Sequence, residues 1–251
     1  MNGLQSILPN CFLLLAVGFS LQTPNGAKFQ QSDSLYEQYR KTESMAVLKQ
    51  VVTVLDGLAA ADPNDYGAAW RRARAYYSLG DDTKPNSEKL KLFSQAIDSA
   101  THAVALRADG VEGHYWLALA DGEYGEAKGM FKALSLTGPI RREMQTVIRI
   151  NPAYENGGAY LVLGKMDYEL PGVMGGSTKR AIQEYQDGLK VAPANPLLKV
   201  YLAESYIGSG RKEEGRTLLD QVLGEHPSDP SPDLKDAQEE ARKLYKKNFS
   251  K

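Results

Sequence analysis

The order of apolar and polar residues divides most of the chain into paired amphipathic segments. Between Pro196 and Pro227, apolar or small residues recur every three or four positions. This spacing places them on one face of each of two successive helices. Proline ends the second helix because it has no amide hydrogen to donate. The pattern predicts a helical hairpin whose interior positions are Leu202, Ala203, Tyr206, Gly215, Leu219 and Val222.

Similar units precede this hairpin along the chain. Three of them have interior residues such as Tyr185, Met144 and Ala100, and a weaker fourth contains Val51. The unit length fits the tetratricopeptide period of 34 residues, in which small residues let the two helices approach closely. The amphipathic stretch from Pro232 to Lys246 is predicted to be a capping helix. We therefore predict an all-α, tetratricopeptide-like right-handed helical-hairpin solenoid with enlarged loops between the first (A) and second (B) helices, and a C-terminal capping helix.

Three hairpins are longer than the consensus between helices A and B. Counted from the N terminus, the second and third carry about ten extra residues each, and the fourth about five. Insertions at equivalent points lie on one edge of a solenoid, which is often the binding edge. The inserts at 122–137 and 170–178 are therefore candidate binding loops, with Glu123, Tyr124, Lys128, Phe131, Gly175 and Gly176 as candidate contacts.

The A helices of stacked hairpins line a concave face, which is the second candidate site. The register of the repeats predicts the side chains that point into this groove. They are mostly apolar with a few charges, which suits an amphipathic ligand or the apolar segment of a partner protein. Arg71 or Lys165 would then meet an acidic head group or a partner carboxylate. The predicted groove residues are Arg71, Tyr115, Leu119, Leu161, Lys165, Tyr168, Val200 and Glu204.

Catalytic and metal-binding chemistry finds little support in the sequence. The single cysteine excludes an internal disulfide framework and a cysteine-based zinc cluster. His114 with Glu112 and Asp121 hints at a metal or a general base, but no further residue supports that combination. Ser177 or Thr178 is expected to cap the following helix. We expect no catalytic residue, no metal and no cofactor. A net charge of −1 also argues against a nucleic-acid partner.

The N-terminal residues 1–27 differ from the rest of the chain because they carry no charge. Within them, the apolar run from Cys11 to Phe19 has the length of a signal-peptide core and is too short to span a bilayer. We expect residues 1–27 to be a signal peptide or an N-terminal anchor, and residues 28–251 to be the repeat domain. The expected location is periplasmic or secreted, with membrane association through the N terminus as an alternative.

Several segments, taken in order on this repeat frame, resemble a known family. They are Trp70–Tyr77, Glu112–Ala118, Gly122–Leu134, Gly157–Tyr160 and Leu170–Ser177. Together they resemble the T-component family of TRAP transporters, over about residues 60–225. A more distant similarity exists to the regulator-of-microtubule-dynamics family, which shares the Trp-Arg-x-Ala-Arg-Ala-Tyr helix. The signal-like N terminus favours the bacterial T-component family, whereas the missing lipobox departs from it.

The T-component resemblance implies an exported, non-enzymatic scaffold that works with a solute-binding protein in the uptake of small organic acids or hydrophobic ligands. It implies that solute-binding protein as a partner. A small amphipathic ligand, suggested by the composition of the groove, and a second copy of the chain are further candidate partners. Two alternatives stay open. One is a generic tetratricopeptide protein–protein adaptor without a transport role, and the other is an unrecognised enzyme.

Overall fold

The computed structural model describes residues 24–84 and 86–249, and all regular secondary structure within these ranges is helical. Two 3₁₀ turns, Tyr154–Gly157 and Gly172–Met174, interrupt the helical order. The all-helical solenoid predicted from the sequence is confirmed. The α-helices are α1 (Pro24–Thr42), α2 (Met45–Ala61), α3 (Tyr66–Asp81), α4 (Asn86–Leu106), α5 (Val111–Lys128), α6 (Met130–Ile150), α7 (Gly158–Glu169), α8 (Thr178–Val191), α9 (Pro196–Gly208), α10 (Lys212–Leu223) and α11 (Pro232–Phe249).

The helices pair into antiparallel hairpins, α1/α2 through α9/α10, and α11 packs on α9 and α10. Side-chain caps start several of them because the first amides of a helix have no partner within it. The side chain of Asp65 accepts from the amide of Ala68, and Asn195 caps α9 in the same way. Ser177 caps α8 by accepting from the amide of Arg180, which confirms the capping role predicted for this loop.

The C-terminal helix α11 covers the last hairpin. Its buried face consists of Leu234, Ala237, Ala241 and Leu244, which pack against residues of α9 and α10. An array of hairpins needs such a helix because its last repeat would otherwise expose an apolar surface. The predicted capping helix is thus confirmed, and it extends to Phe249 rather than Lys246.

The odd-numbered helices form the inner, concave layer. Three neighbouring pairs among them, α3/α5, α7/α9 and α9/α11, pack directly. Neighbouring even-numbered helices contact each other less throughout the described part of the chain, so they lie on the wider, outer side. The side chains available to a partner in the groove therefore come from α1, α3, α5, α7, α9 and α11.

The insert at 122–137 is helical, so its prediction as a loop is wrong. Helix α5 continues to Lys128 and α6 begins at Met130, joined only by Gly129 with a φ of 104°. Gly125 lets the two helices meet, since a Cβ there would lie 3.0 Å from the Cα of Ala133. The extra residues therefore lengthen both helices as paired turns. In the fourth hairpin, by contrast, residues 170–177 do form a loop with one 3₁₀ turn.

Candidate functional site

The side chain of Arg71, a predicted groove residue, is already bound by residues of helix α1. Its guanidinium forms two hydrogen bonds with the carboxylate of Asp33, at 2.8 and 2.9 Å. It also lies over the rings of Phe29 and Trp70, with 4.1 and 4.3 Å to the centroids. A second arginine, Arg74, contacts the same carboxylate at 3.4 Å. Arg71 therefore joins α1 to α3 and has little freedom to meet a partner carboxylate.

Two other predicted groove residues are buried and therefore cannot contact a ligand in the groove. The Val200 side chain is fully buried and packs with residues of α10 and α11. Tyr115 is 8% exposed, and its ring meets those of Trp116 and Tyr154 at centroid distances of 5.3 and 5.2 Å. Gly158 approaches the Tyr115 ring so closely that a Cβ would overlap its hydroxyl. The prediction that Tyr115 and Val200 face an open groove is therefore wrong.

Five predicted groove residues keep part of their surface on the inner helices: Leu119 on α5, Leu161, Lys165 and Tyr168 on α7, and Glu204 on α9. Tyr168 spans to the next repeat, where its hydroxyl donates to the backbone carbonyl of Glu204 at 3.4 Å. Leu161 packs against the cluster of α8 and α9, and Leu119 against the cluster of α5, α6 and α7. These five residues form a partly buried, mainly apolar wall with two charges.

The surroundings of Lys165 are acidic. Its ammonium lies 3.9 Å from a carboxylate oxygen of Glu169 and 5.2 Å from the ring centroid of Tyr201. Burial opposes its charge, but Tyr201, Glu169 and Glu126 outweigh burial and hold the pKa of Lys165 above its ordinary value. The positive charge is therefore already balanced by carboxylates of this chain, which leaves it less able to attract an acidic ligand.

Sequence reasoning overlooks most of a row of carboxylates on the inner helices. The row, called here the concave stripe, consists of Glu123, Glu126, Glu169, Glu204 and Glu240, whose neighbouring members influence one another's charge directly or through Lys165. Burial, helped by Asp81 and Glu126, raises the pKa of Glu123. Burial, helped by Glu240 and Glu169, raises that of Glu204. Like charges that disfavour one another's ionisation gain from a cation placed between them. The sequence signal is an acidic residue in the last turns of the A helices α5, α7 and α9.

The candidate insert residues lie in different settings. Glu123 and Tyr124 are half-buried within α5, while Lys128 and Phe131 are exposed at the turn into α6. Residues 128–132 form one surface, the α5–α6 tip. Residues 170–177, which contain Gly175 and Gly176, form another, the α7–α8 tip. Gly175 has a φ of 93°, and a Cβ on Gly176 would overlap the carbonyl of Leu170.

A buried carboxylate organises the α7–α8 tip. Asp167 is 0% exposed and accepts hydrogen bonds from Arg141 on α6, at 2.6 Å, and from Arg180 on α8, at 2.9 Å. Its backbone carbonyl also accepts from the amide of Ser177. Burial opposes ionisation, but the two arginines outweigh it and hold the pKa of Asp167 below its ordinary value. Asp167 therefore ties three helices and the tip together.

The residues that hinted at a metal or a general base point to different partners. The two ring nitrogens of His114 face the Glu143 carboxylate and the Ala108 carbonyl. The carboxylate of Glu112 accepts from the hydroxyl of Tyr66 at 2.7 Å. Burial raises the pKa of Asp121. Among the described residues, no group of three histidine, cysteine or acidic side chains is arranged to hold a metal ion.

Comparison with known proteins identifies the family. The family model described as "Regulator of microtubule dynamics protein 1-3" matches residues 28–173, more than half of the chain. The chain belongs to the regulator of microtubule dynamics protein 1-3 family. A "Tetratricopeptide repeat" model matches the following residues, 174–241. The segments that suggested a TRAP T-component therefore lie mostly within the region matched by the microtubule-dynamics family, and these comparisons do not support the T-component assignment.

The curated relatives are distant and much longer. Regulator of microtubule dynamics protein 3 of Rattus norvegicus is 23% identical over 198 residues, which cover 78% of this chain and 40% of the relative. The protein of the same name from Bos taurus is 25% identical over 163 residues, covering 63% of this chain and 34% of the relative. The chain thus spans about two fifths of the length of the curated relatives it matches.

Solved structures show the same architecture. TTC0263, a tetratricopeptide protein of Thermus thermophilus, superposes with a TM-score of 0.62 at 20% identity, covering 87% of this chain and 98% of its own. MamA superposes with a TM-score of 0.50 at 20% identity, over 86% of this chain and 96% of its own. At this identity the similarity shows the fold alone, which places this family member among tetratricopeptide-like solenoids.

The N-terminal prediction falls largely outside the described residues. Helix α1 begins at Pro24, so the last residues of the segment 1–27 belong to that helix. The apolar run from Cys11 to Phe19 precedes the described ranges. Among the helices that are described, none combines the length and the apolar character needed to cross a membrane.

Proposed function

We propose that this family member is a non-enzymatic adaptor that binds a basic, amphipathic segment of a partner protein along its concave face. The concave stripe is the observation that carries this proposal. Its carboxylates share the inner helices with the partly buried Leu119, Leu161 and Tyr168, so the concave face offers both apolar and acidic surface. An amphipathic helix or strand with lysine or arginine on one side complements such a groove in both respects.

The negative charge of the groove also changes the class of ligand that we propose. The expected contact was an acidic group at Arg71 or Lys165, but Arg71 binds Asp33 and Lys165 is surrounded by carboxylates. An acidic ligand would meet the repulsion of the concave stripe, whereas a basic one would relieve it. The adaptor interpretation therefore accounts for more of the inner face than does the binding of an organic acid.

Peptide binding tests this proposal. Fluorescence anisotropy of the full chain should show saturable binding of amphipathic peptides rich in lysine, and none of matched peptides in which glutamate replaces lysine. Neutralising three stripe carboxylates should weaken binding about tenfold, since each partly exposed pair contributes up to about 1 kcal/mol. The test variant is E126Q/E169Q/E204Q, and the control, in exposed positions on the outer helices away from the stripe, is E88Q/E213Q/E214Q.

Charge reversal at Lys165 separates the two ligand classes. Lys165→Glu should strengthen binding of a basic peptide because it extends the concave stripe by one carboxylate. The same variant should weaken an acidic ligand that pairs with the ammonium. Preferred binding of the glutamate peptides, weakened by Lys165→Glu, would overturn the proposal in favour of an acidic ligand.

A transport role as a T-component is a second proposal, supported by the uncharged residues 1–27 and their apolar run. It requires export, so mass spectrometry of protein from native cells should find a mature N terminus between Leu21 and Lys28. A pull-down with a periplasmic solute-binding protein should then recover the chain. An intact Met1 on cytosolic protein would contradict this proposal and leave the adaptor unaffected.

A further inference from the structure

Two neighbouring tips on one edge of the solenoid expose large apolar side chains. At the α5–α6 tip, Phe131 is 86% and Met130 64% exposed. At the α7–α8 tip, Val173 is 95% and Met174 44% exposed. Within residues 24–84 and 86–249, these are the exposed large hydrophobic side chains. Because turns between A and B helices of consecutive hairpins project from the same side, both tips belong to one edge, called here the A–B edge.

The backbone of both tips is held in place, so the exposure is built into the fold. Gly125 brings α5 against Ala133 of α6, which fixes the first turn of α6. In the other tip, the amide of Met174 donates to the carbonyl of Pro171 at 2.8 Å, and the guanidinium of Arg180 donates to the carbonyl of Gly175. Phe131 and Val173 are therefore presented to solvent by ordered supports.

The charged side chains within the two tips are basic, while the carboxylates of Glu126 and Glu169 lie just outside them. Residues 127–142 contain four lysines or arginines and no acidic residue. Residues 170–183 contain two lysines or arginines and no acidic residue. The chain as a whole has a net charge of −1, so the remainder is acidic in excess.

Arg141 and Arg180 already pair with Asp167, so the cations left for an external group are lysines. Within the described part of the chain, Lys128, Lys132 and Lys179 form no ion pair. Their ammonium groups are free to meet anionic groups outside the protein.

We propose that the A–B edge docks on an anionic membrane surface. Phe131 and Val173 enter the boundary between head groups and acyl chains, and Lys128, Lys132 and Lys179 contact lipid phosphates. Exposed apolar knobs with a cationic rim have the composition of interfacial membrane-binding elements, whose affinity combines buried apolar area with attraction to anionic lipid. Long lysine side chains can follow the inserted residues while their charges stay at the phosphates. The side chains that carry the binding energy of a protein partner cluster in well-packed pockets, whereas Phe131 and Val173 stand almost fully exposed.

Flotation with vesicles tests the docking in the full chain. Binding should be strong to vesicles of phosphatidylcholine mixed with phosphatidylserine and weak to phosphatidylcholine alone. Replacing the exposed apolar side chains Phe131 and Val173, or reversing the charges of the three lysines, should each lower the vesicle–water partition coefficient about tenfold or more. Reversing three exposed charges near the opposite edge should leave it unchanged. The variants are F131S/V173S and K128E/K132E/K179E, with R149E/K190E/K235E as the control.

Tryptophan substitution shows whether the tip itself enters the bilayer, whatever else holds the chain at a membrane. Brominated acyl chains should quench the added emission of Phe131→Trp. They should not quench that of His226→Trp, an exposed position in the loop between α10 and α11, on the opposite edge. Equal quenching at both positions, or none at Phe131→Trp, would overturn the proposal. The proposal would also be overturned if the tip variants float like wild type. A third contradicting outcome would be tip variants that lose self-association in sedimentation velocity while still binding vesicles, because the tips would then contact a second copy of the chain.

Discussion

Replacement of Tyr185 by alanine is expected to lower the free energy of unfolding by about 3–5 kcal/mol, as for other large aromatic truncations in a core. The Tyr185 side chain is fully buried between α7 and α8. Its ring occupies space left by Gly164, where a Cβ would overlap it. The ring also stacks on Tyr201 with centroids 6.2 Å apart. Alanine would leave a cavity that these rigid helices cannot close. Urea denaturation followed by circular dichroism measures the loss.

Phenylalanine at the same position provides the matched control. The hydroxyl of Tyr185 is buried and has no hydrogen-bond partner among the described residues. Tyr185→Phe removes this unsatisfied group and keeps the ring, so stability should stay the same or rise by up to about 1 kcal/mol. Equal destabilisation by phenylalanine and alanine would show that the hydroxyl, rather than ring packing, holds α7 to α8.

Replacement of Arg141 by methionine is expected to lower the free energy of unfolding by about 3–5 kcal/mol, because it removes one partner of a buried charge. The carboxylate of Asp167 is 0% exposed and would keep only Arg180, whose side chain is 52% exposed. Arg142→Met, at an exposed neighbouring position on α6, should change stability by less than about 0.5 kcal/mol. Similar losses for Arg141→Met and Arg142→Met would contradict the role assigned to the Asp167 pair.

The same carboxylate predicts a dependence on pH. The folded-state pKa of Asp167 lies below its ordinary value, so its ionised form stabilises the fold. That contribution is fully present above the unfolded pKa, about 3.9, and is lost as pH falls through the folded pKa. The stability difference between wild type and Asp167→Asn should thus be largest near neutral pH and shrink in acid. A difference that grows on acidification would contradict the sign of the shift.

The sequence predicts the elements that depend on short-range patterns and leaves open those that depend on distant neighbours. Leu202 and Tyr206 are buried as the repeat register predicts, and Ser177 caps α8. The register misplaces Val200 because α11 packs over the face that an interior repeat would leave open. It misplaces Arg71 because the partner of that side chain, Asp33, lies 38 residues away on a helix outside the recognised repeats.

The inserts show the same limit in another form. Extra residues relative to a repeat consensus suggest a loop, but the segment 122–137 contains few turn-forming residues apart from its glycines. Gly125 serves close packing and Gly129 the turn, and the sequence alone does not separate these two uses. The concave stripe escapes prediction because its members belong to different repeats and only stacking brings them together.

The lengthened third hairpin sets a distance as well as a surface. About ten added residues, shared between α5 and α6, raise the turn by roughly five residues of helix, or about 7 Å at 1.5 Å per residue. Each further helical turn in such an insert would add another 5.4 Å or so without altering the inner face. Insert length therefore acts as a spacer that fixes how far the groove stands from whatever the turn touches. Relatives with different inserts could hold the same groove at different heights.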